Sequence, residues 1–509
     1  MKVFPGKKLL WLPVLGACLS LSTSCIAEIG EYSKQNIIYN EGYYQLKTVN
    51  NGISWKAIFH DHSGMDATPS IGRVPVLVLP IEFSDFPFEE KTLSDIDALI
   101  QGESEDTKYW ESLGSFYEKS SYGKLLLDFE IAPKTTLSLN SSDFYIQHQL
   151  AGDWGAAAMK EAVDAYKAQF GEESTKRFDQ DKDGFIDSVI MIYSAPDCSS
   201  SSEVAHDRTC WWAYCYYDTA AKGVANSPVG FHYFWASYDF FYAAVEGQEG
   251  VDAHTLIHEM GHMLGSDDYY NATGSPGDLE PSGQSVMMAY NTLDHESFTK
   301  LSYGWVSPFC VTGDCEITIR PFESTGDCIL LADDWNGTAW DEYVMLELYT
   351  PTGLNELDAT QAYPGRYIGP QKAGIRMWHV DNRLAKMRYS QVTEKLTFSA
   401  FIEPKEVKYN VYSRGTTITS AFRNGTDDNA PGDYDLISLV SPRNMTFRLG
   451  GKAYSELDLW QTGDRFHAKS FQWQFRNGGH LDNGNPLPFS VDFVSVGDEE
   501  ATIRFTKMG

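Results

Sequence analysis

Residues 252–270 constrain the fold of this 509-residue chain more than any other stretch. They contain the run His-Glu-Met-Gly-His at 258–262, which is flanked by apolar residues and followed by Gly265. Asp252 suits the N-cap position of a helix, and a glycine suits the position just after its last turn. Residues four apart lie on the same face of an α-helix. The segment therefore predicts a short helix that directs both histidine side chains of the run toward one point.

Two imidazoles directed at one point are typical of a zinc site. We therefore predict that His258 and His262 bind Zn²⁺. Because the glycine after the helix lets the chain turn back, Asp268, ten residues after His258, is the predicted third ligand. Asp267 and Glu280 are the competing carboxylates for that position.

Glu259 follows the first histidine but is not a ligand in this pattern, and we predict that it takes a proton from metal-bound water. Farther along, residues 285–290 read Ser-Val-Met-Met-Ala-Tyr and are similar to the Met-turn of compact zinc peptidases. Met288 is the predicted turn methionine, an apolar floor rather than a ligand. Tyr290 is a candidate for stabilising an oxyanion, and a packing role is the alternative. His254, one turn before the first ligand, is expected to support the site.

A second metal pattern lies earlier in the chain. Its carboxylates occupy positions 1, 3, 5 and 9 of a loop and are Asp179, Asp181, Asp183 and Asp187. Gly184 at position 6 permits the bend, and the Phe185 carbonyl is a further candidate ligand, as in the first part of a calcium loop. Ile190 occupies position 12, where a full EF-hand has glutamate. The pattern predicts a structural Ca²⁺ loop, with a solvated acidic turn as the alternative.

The composition agrees with a folded, acidic protein. Hydrophobic residues make up 42% and aromatic residues 14% of the chain, which is enough for sizeable cores. The net charge is −30. This excess of carboxylates argues against nucleic-acid binding, which needs a basic face, and it attracts cations such as Ca²⁺. The length predicts about two or three domains.

Residues 1–27 have the pattern of an export signal. Three lysines precede an apolar run at 9–21 that is too short to span a membrane comfortably. Cleavage could follow this segment, or Cys18 or Cys25 could carry a lipid anchor. We therefore expect a secreted protein, free or anchored at the cell surface by lipid. No later apolar stretch reaches about 18 residues, so no transmembrane helix is predicted.

The remaining chain divides into three parts. Residues 28–72 form an N-terminal extension or a prosegment, and both alternatives stay open. Residues 73–308 alternate strands and helices, which predicts an α/β (α+β) metallopeptidase domain of the zincin type with a Met-turn. Residues 309–509 change to short strands between turn residues, which is typical of an all-β, sandwich-like region. Strands are expected at 74–83, 125–131, 188–193, 316–320, 343–349, 374–380, 395–402, 436–440, 489–494 and 501–505.

Six cysteines remain beyond the signal segment. They are Cys198, Cys210, Cys215, Cys310, Cys315 and Cys328. An even count in an exported chain predicts intramolecular disulfides, and the grouping favours local pairing within 310–328. The individual pairs stay open.

The chain resembles the secreted zinc metallopeptidases of the immune inhibitor A (thuringilysin) family over roughly residues 74–381. The stretches that carry this resemblance, in the family's order, are 76–85, 120–125, 183–187, 258–268, 301–306 and 374–381. It implies an exported bacterial endopeptidase with zinc, bound calcium and a β-rich C-terminal half. It also implies zinc at His258 and His262 and catalysis by Glu259. The chain differs in having Val-Met-Met at 286–288, where members often have Asp-Leu-Met or similar.

These patterns predict a zinc-dependent endopeptidase that acts on proteins or peptides. An alternative is a surface binding or adhesion protein with a vestigial zinc site, and Glu259 argues against it because a vestigial site has no chemical need of a base. A metal-dependent hydrolase of another bond is a third alternative. His379 and Asp381 alternate within a predicted strand and are expected to be structural.

Overall fold

The computed structural model describes residues 37–47, 68–102, 111–197, 210–218, 220–242, 251–271, 274–284, 286–390, 395–403, 416–420, 424 and 434–509. The predicted export signal, with Cys18 and Cys25, lies outside these residues, as does Cys198. Within these ranges, no helix combines the length and apolar character that crossing a membrane requires.

The first part of the chain contains ten strands and seven helices among its described residues. The strands are β1 (Ile37–Asn40), β2 (Tyr43–Leu46), β3 (Gly72–Glu82), β4 (Leu125–Ile131), β5 (Thr135–Thr136), β6 (Phe185–Ile186), β7 (Val189–Tyr193), β8 (Tyr214–Tyr217), β9 (Val229–Gly230) and β10 (His232–Ser237). The helices are α1 (Glu90–Gln101), α2 (Leu113–Ser120), α3 (Ser141–His148), α4 (Trp154–Phe170), α5 (His254–Leu264), α6 (Met287–Tyr290) and α7 (Ser297–Ser302).

Six of these strands form a mainly parallel sheet in the order β4-β3-β7-β10-β8, with β5 paired to β3. β8 is antiparallel to β10 at the edge. Apolar residues of β3 face two cores, because α1, α2 and α5 cover one side of the sheet and α3 and α4 cover the other. The apolar run at 74–81 therefore marks a strand that is buried on both faces.

The second part of the chain is mostly β. Its strands are β11 (Phe309–Val311), β12 (Cys315–Ile319), β13 (Cys328–Leu331), β14 (Glu342–Tyr349), β15 (Gly374–Asp381), β16 (Leu384–Ser390), β17 (Lys395–Phe401), β18 (Thr416–Ser420), β19 (Ile437–Leu439), β20 (Arg465–His467), β21 (Phe489–Val496) and β22 (Ala501–Lys507). In the described residues of this part, two short α-helices, α8 (Phe322–Thr325) and α9 (Glu356–Thr360), lie between the strands.

Seven strands, in the order β1-β2-β11-β13-β14-β15-β19, form the sheet that connects the two parts. Alternate residues of β14 face opposite sides: Tyr343 and Met345 pack into the core that contains α5, whereas Val344 and Leu346 pack against the sheet β12-β22-β21-β20. These two sheets thus share one core, and the seven-stranded sheet also supports α5. The chain is a mixed α/β protein with several sheets.

The prediction of intramolecular disulfides is wrong for the described cysteines, because Cys210, Cys215, Cys310, Cys315 and Cys328 are all free thiols. The pairing expected within 310–328 is therefore absent. The register of the neighbouring strands places Cys310 opposite Leu330, and Cys315 begins β12 in the other sheet. Cys310 and Cys328 are buried with apolar neighbours. These two cysteines therefore pack as small apolar side chains.

Candidate metal centre

Helix α5 carries the His-Glu-Met-Gly-His run, and its ends differ in how well the sequence predicted them. Gly265 ends the helix in the left-handed region at φ +116°, as predicted, and its N–H bonds to the Gly261 and His262 carbonyls. Ala253, not Asp252, occupies the N-cap position. The Asp252 carboxylate instead accepts hydrogen bonds from the backbone N–H and the ring of His254, because that buried imidazole needs a partner.

Three side chains converge beside α5. The Nε2 atoms of His258 and His262 lie 3.1 Å apart. Asp268 Oδ1 is 3.1 Å from the first of these nitrogens and 3.2 Å from the second. The three ligand atoms thus lie close enough to surround one ion, and they come from the residues that the sequence singled out.

The second nitrogen of each imidazole fixes the orientation of its ring. His258 Nδ1 is 2.8 Å from the Met287 carbonyl oxygen, and His262 Nδ1 is 2.8 Å from that of Ser266. Because a carbonyl oxygen only accepts, each Nδ1 carries a proton, and in the neutral rings each Nε2 then presents a lone pair to the shared point. This is the protonation that a pair of histidines needs to bind a metal ion.

The charges around this point are strongly coupled. Burial alone would lower the pKa of His262, but Asp268 and Glu259 outweigh it and raise the pKa to about 10. Burial alone would raise the pKa of Asp268, but the two histidines hold it well below its usual range. A metal cation would take the place of the extra proton that this arrangement attracts.

Glu259 lies next to the three converging side chains and is buried. Burial raises the pKa of its carboxyl, while the charges of His262 and His258 oppose that rise. Cys215, on the edge strand β8, donates from its thiol to the Glu259 carbonyl at 3.1 Å. A carboxylate with a raised pKa accepts a proton more readily than an exposed one, as a general base requires.

The competing carboxylates are not part of this group. Glu280 Oε2 accepts from the backbone N–H of Asn271 at 3.1 Å and lies 3.4 Å from the Tyr290 hydroxyl. Asp267 does not belong to the metal-ligand groups found among the described residues. Asp268 is therefore the carboxylate that the fold directs to the histidines.

The segment predicted as a Met-turn lies under α5. Met288 is fully buried in the same core as α5, and its carbonyl accepts from the Tyr269 N–H at 2.8 Å. A Cβ on Gly261 would meet the Met288 sulfur at 2.4 Å. The turn therefore packs against α5 through Met288. It also fixes the ring of His258 through the Met287 carbonyl.

Two tyrosines lie near the converging group. Tyr290, the predicted candidate, directs its hydroxyl toward Glu280, while its carbonyl accepts from Arg366 Nε at 2.9 Å. Tyr270, which the sequence analysis did not single out, hydrogen-bonds to Asp268 through its hydroxyl. Its position two residues after the predicted ligand was a signal that could have identified it.

The predicted calcium loop forms a compact turn. Asp179, Asp181 and Asp187 bring one carboxylate oxygen each within 4.8 Å of the others. Asp183 is not part of that group. Its carboxylate accepts from the Phe185 N–H at 2.9 Å, and the three grouped aspartates also accept from backbone N–H groups of the loop. Gly184 is at φ +92°, so the bend needs a residue without a side chain.

Comparison with known proteins adds little to this geometry. No protein-family model matches the chain, and no curated protein matches it in sequence. Among solved structures the chain is similar to "Crystal Structure of metalloproteinase-II from Bacteroides fragilis", with 12% identity and a TM-score of 0.20 over 48% of this chain and 60% of that one. A similarity at that TM-score carries no argument. The resemblance to the immune inhibitor A family stays a prediction.

Proposed function

We propose that this protein is a zinc-dependent endopeptidase in which His258, His262 and Asp268 hold the metal. The observation that carries the proposal is the pair of Nε2 atoms 3.1 Å apart, both fixed by carbonyl partners and both facing one carboxylate oxygen. Two histidines, one carboxylate and an open position are the ligand set of catalytic zinc.

The chain's own groups have separate tasks in this proposal. Zn²⁺ at the site would act as a Lewis acid that acidifies bound water and polarises a carbonyl. Glu259 accepts a proton on its buried carboxylate as water attacks the peptide carbon, and then donates that proton to the departing amine. Tyr290 donates a hydrogen bond to the developing oxyanion after leaving Glu280. Its 3.4 Å contact there is long for a hydrogen bond and therefore inexpensive to break.

Substitution of the base and the carboxylate ligand tests this assignment. Glu259→Gln should keep zinc in the purified protein and lose nearly all casein hydrolysis. Asp268→Asn should lower the zinc content itself, whereas the matched control Asp267→Asn should not. Casein hydrolysis by Glu259→Gln near the unsubstituted rate would refute the role of the base, and zinc loss confined to Asp267→Asn would move the third ligand.

We also propose that Asp179, Asp181 and Asp187 bind Ca²⁺ and that its role is structural. The support is their shared oxygen geometry and the position of the loop between α4 and β7. Carboxylates that repel one another in the empty loop would be neutralised by a cation.

The proposed setting is outside the cell, free or lipid-anchored, with proteins or peptides as substrates. This part of the proposal rests on the pattern of residues 1–27 and on the family resemblance. Mass spectrometry of the mature N-terminus tests it: a start after residue 27, or a lipid on Cys18 or Cys25, is expected, and an intact residue 1 in exported protein would contradict it.

A further inference from the structure

A second group with a histidine among carboxylates lies far from α5 in the sequence. Glu342, the first residue of β14, has its Oε1 2.9 Å from His379 Nε2 of β15. Asp482, from the turn before β21, completes a group whose ligand atoms lie within 4.8 Å of one another. Glu342 and His379 are almost fully buried, so the group is part of the protein interior.

Register explains how strands and a distant turn make this group. Glu342 pairs with Asp381 across the two strands, and His379 is two residues earlier on β15. Residues two apart share a face of a strand, so these three side chains point to the same side of the sheet. The turn at Asp482 is fixed there because its backbone N–H and that of Asn483 both donate to the Glu342 carboxylate.

One oxygen in the group stands without a hydrogen bond. Asp482 Oδ1 is a buried atom that has no hydrogen-bond partner among the described residues. A buried carboxylate oxygen without a donor is costly. Asp482 is the member that comes from a different part of the chain, and one of its carboxylate oxygens lies within 4.8 Å of the ligand atoms of Glu342 and His379.

The charges leave room for a divalent cation. Asp381 is paired with Arg383 at 2.6 Å, and the same guanidinium lies 3.9 Å from Glu342. Three carboxyl groups therefore lie around the His379 imidazole, and one guanidinium lies beside them.

We propose that Glu342, His379 and Asp482 form a second metal site, which takes a divalent transition-metal ion of the Zn²⁺ kind. An imidazole ligand favours zinc and its neighbours over calcium and magnesium, which prefer all-oxygen sites. Ligand atoms around tetrahedral zinc lie about 3.3 Å apart, so the 2.9 Å contact between Glu342 and His379 would lengthen slightly and Asp482, whose ligand atom lies within 4.8 Å of theirs, would adjust to that distance. The ion would fasten the turn before β21 to the end of the β14–β15 pair at which Glu342 and His379 lie.

Zinc counting by mass spectrometry tests the proposal in full-length Glu259→Gln protein, in which self-digestion is suppressed. The protein is loaded with Zn²⁺ in the presence of excess Ca²⁺, which keeps Zn²⁺ out of the proposed calcium loop, and is then desalted. Two zinc ions per chain are expected. Adding His379→Gln or Asp482→Asn should each remove one, whereas His480→Gln, a nearby histidine outside the group, should leave both.

The catalytic site is counted separately with His262→Ala, which should also leave one zinc. If the proposed catalytic site binds no zinc, Glu259→Gln protein should hold a single zinc ion that His379→Gln removes. That result would contradict the proposed function but support the second metal site. Zinc content unaffected by both His379→Gln and Asp482→Asn would overturn the proposal. Asp482→Asn keeps the size of the side chain, so it gives a folded reference if His379→Gln does not fold.

Discussion

Gly261 lies in the middle of α5, where glycine is usually a poor choice. A glycine in a helix interior costs about 1 kcal/mol relative to alanine. Here a Cβ would meet both the sulfur and the terminal methyl group of Met288, at 2.4 and 3.0 Å. The missing side chain therefore lets the Met-turn approach the helix that carries the histidines.

A double-mutant cycle tests this close approach. Gly261→Ala alone should destabilise the protein, because overpacking typically costs about 1–3 kcal/mol. In a Met288→Ala background the same change should stabilise by up to about 1 kcal/mol, since only the helix-propensity gain remains. Unfolding in urea measures both effects. The same sign in the two backgrounds would show that the contact does not decide the choice of glycine.

Substitutions of the two tyrosines near the proposed zinc site should have different effects. Tyr290→Phe removes a donor proposed for the oxyanion, so kcat should fall about 100-fold with unchanged zinc content. Tyr270→Phe removes a hydrogen bond to Asp268, so zinc affinity should fall first. Parallel measurements of kcat and of zinc content distinguish them. Full activity of Tyr290→Phe would leave that tyrosine with a packing role only.

At the residue scale, the sequence predicted contacts between residues that are close in the chain, but not contacts between residues that are far apart in it. The convergence of His258, His262 and Asp268 depends on one helix and one turn, and both can be predicted from nearby residues. The approach of Cys215 to Glu259 depends on strand order in the sheet, which no local pattern contains. Asp482 is about a hundred residues from His379. The sequence pattern therefore predicted only a structural role for His379 and not its approach to Asp482.

Among the elements, α5 is held at its first turn by a helix from the second part of the chain. His254 is fully buried, with Asp252 Oδ1 at 2.5 Å and Asp358 Oδ1 of α9 at 3.4 Å. Burial alone would lower the pKa of His254, but these carboxylates outweigh it and raise the pKa to about 9. The protonated ring thus joins the start of α5 to α9.

This ring should make stability depend on alkaline pH. The folded-state pKa of about 9 is above the ordinary value of 6.5, so the stabilisation is complete below about pH 6.5 and is lost as pH rises through about 9. It amounts to about 3 kcal/mol. Urea unfolding of Glu259→Gln protein near pH 6 and near pH 10, with and without His254→Gln, measures it. Equal losses in both proteins would refute the contribution.

The proposed calcium loop at residues 179–187 gives a second prediction at the scale of single elements. Calcium should raise the melting temperature of Glu259→Gln protein, because an ion that binds only the folded state stabilises by about 2.7 kcal/mol at a hundredfold excess over Kd. Adding Asp181→Asn should reduce that rise. Asp498→Asn, in the exposed acidic turn between β21 and β22, is the matched control. An equal rise in all three proteins would indicate a solvated turn.

Boundaries of elements were predictable where one strong signal acts alone. The strand at 125–131 and the stop at Gly265 agree with the structure. The N-terminus of α5 was wrong by one residue because Asp252 bonds to a buried ring. Asp153, a residue type that suits an N-cap, does occupy that position in α4, but its carboxylate pairs with His148 at 2.9 Å and makes no capping hydrogen bond. Competing partners for a carboxylate decide such details.

For the whole molecule, the alternation of strands and helices before residue 308 and the short strands after it predicted a mixed α/β architecture with an all-β second part. The sequence did not predict that β1 and β2 join the sheet of the second part. Gln45 Nε2 donates to the Ser307 carbonyl at 2.8 Å, and β2 pairs with β11. Pairing across more than 260 residues leaves no local signal.

Truncation tests the contribution of this hairpin. Removing residues 1–47 from Glu259→Gln protein should lower the melting temperature by several degrees, because β11 becomes an unpaired edge and the edge-to-face contact of Tyr43 with Phe309 is lost. Removing residues 1–35 keeps the hairpin and serves as the control. Equal melting temperatures would mean that the hairpin is dispensable, as a removable prosegment would be.

The shared core has a consequence for how the molecule is made. Leu439, Tyr454 and Leu459 belong to the same apolar cluster as Leu256 and Ile257 of α5. A chain is synthesised from its amino end, and domains fold as their residues become available. The packing around α5 is therefore complete only after some two hundred further residues have been synthesised. For the proposed endopeptidase, we therefore expect that a nascent polypeptide carrying the histidine motif hydrolyses no peptide bonds until most of the later residues have been synthesised.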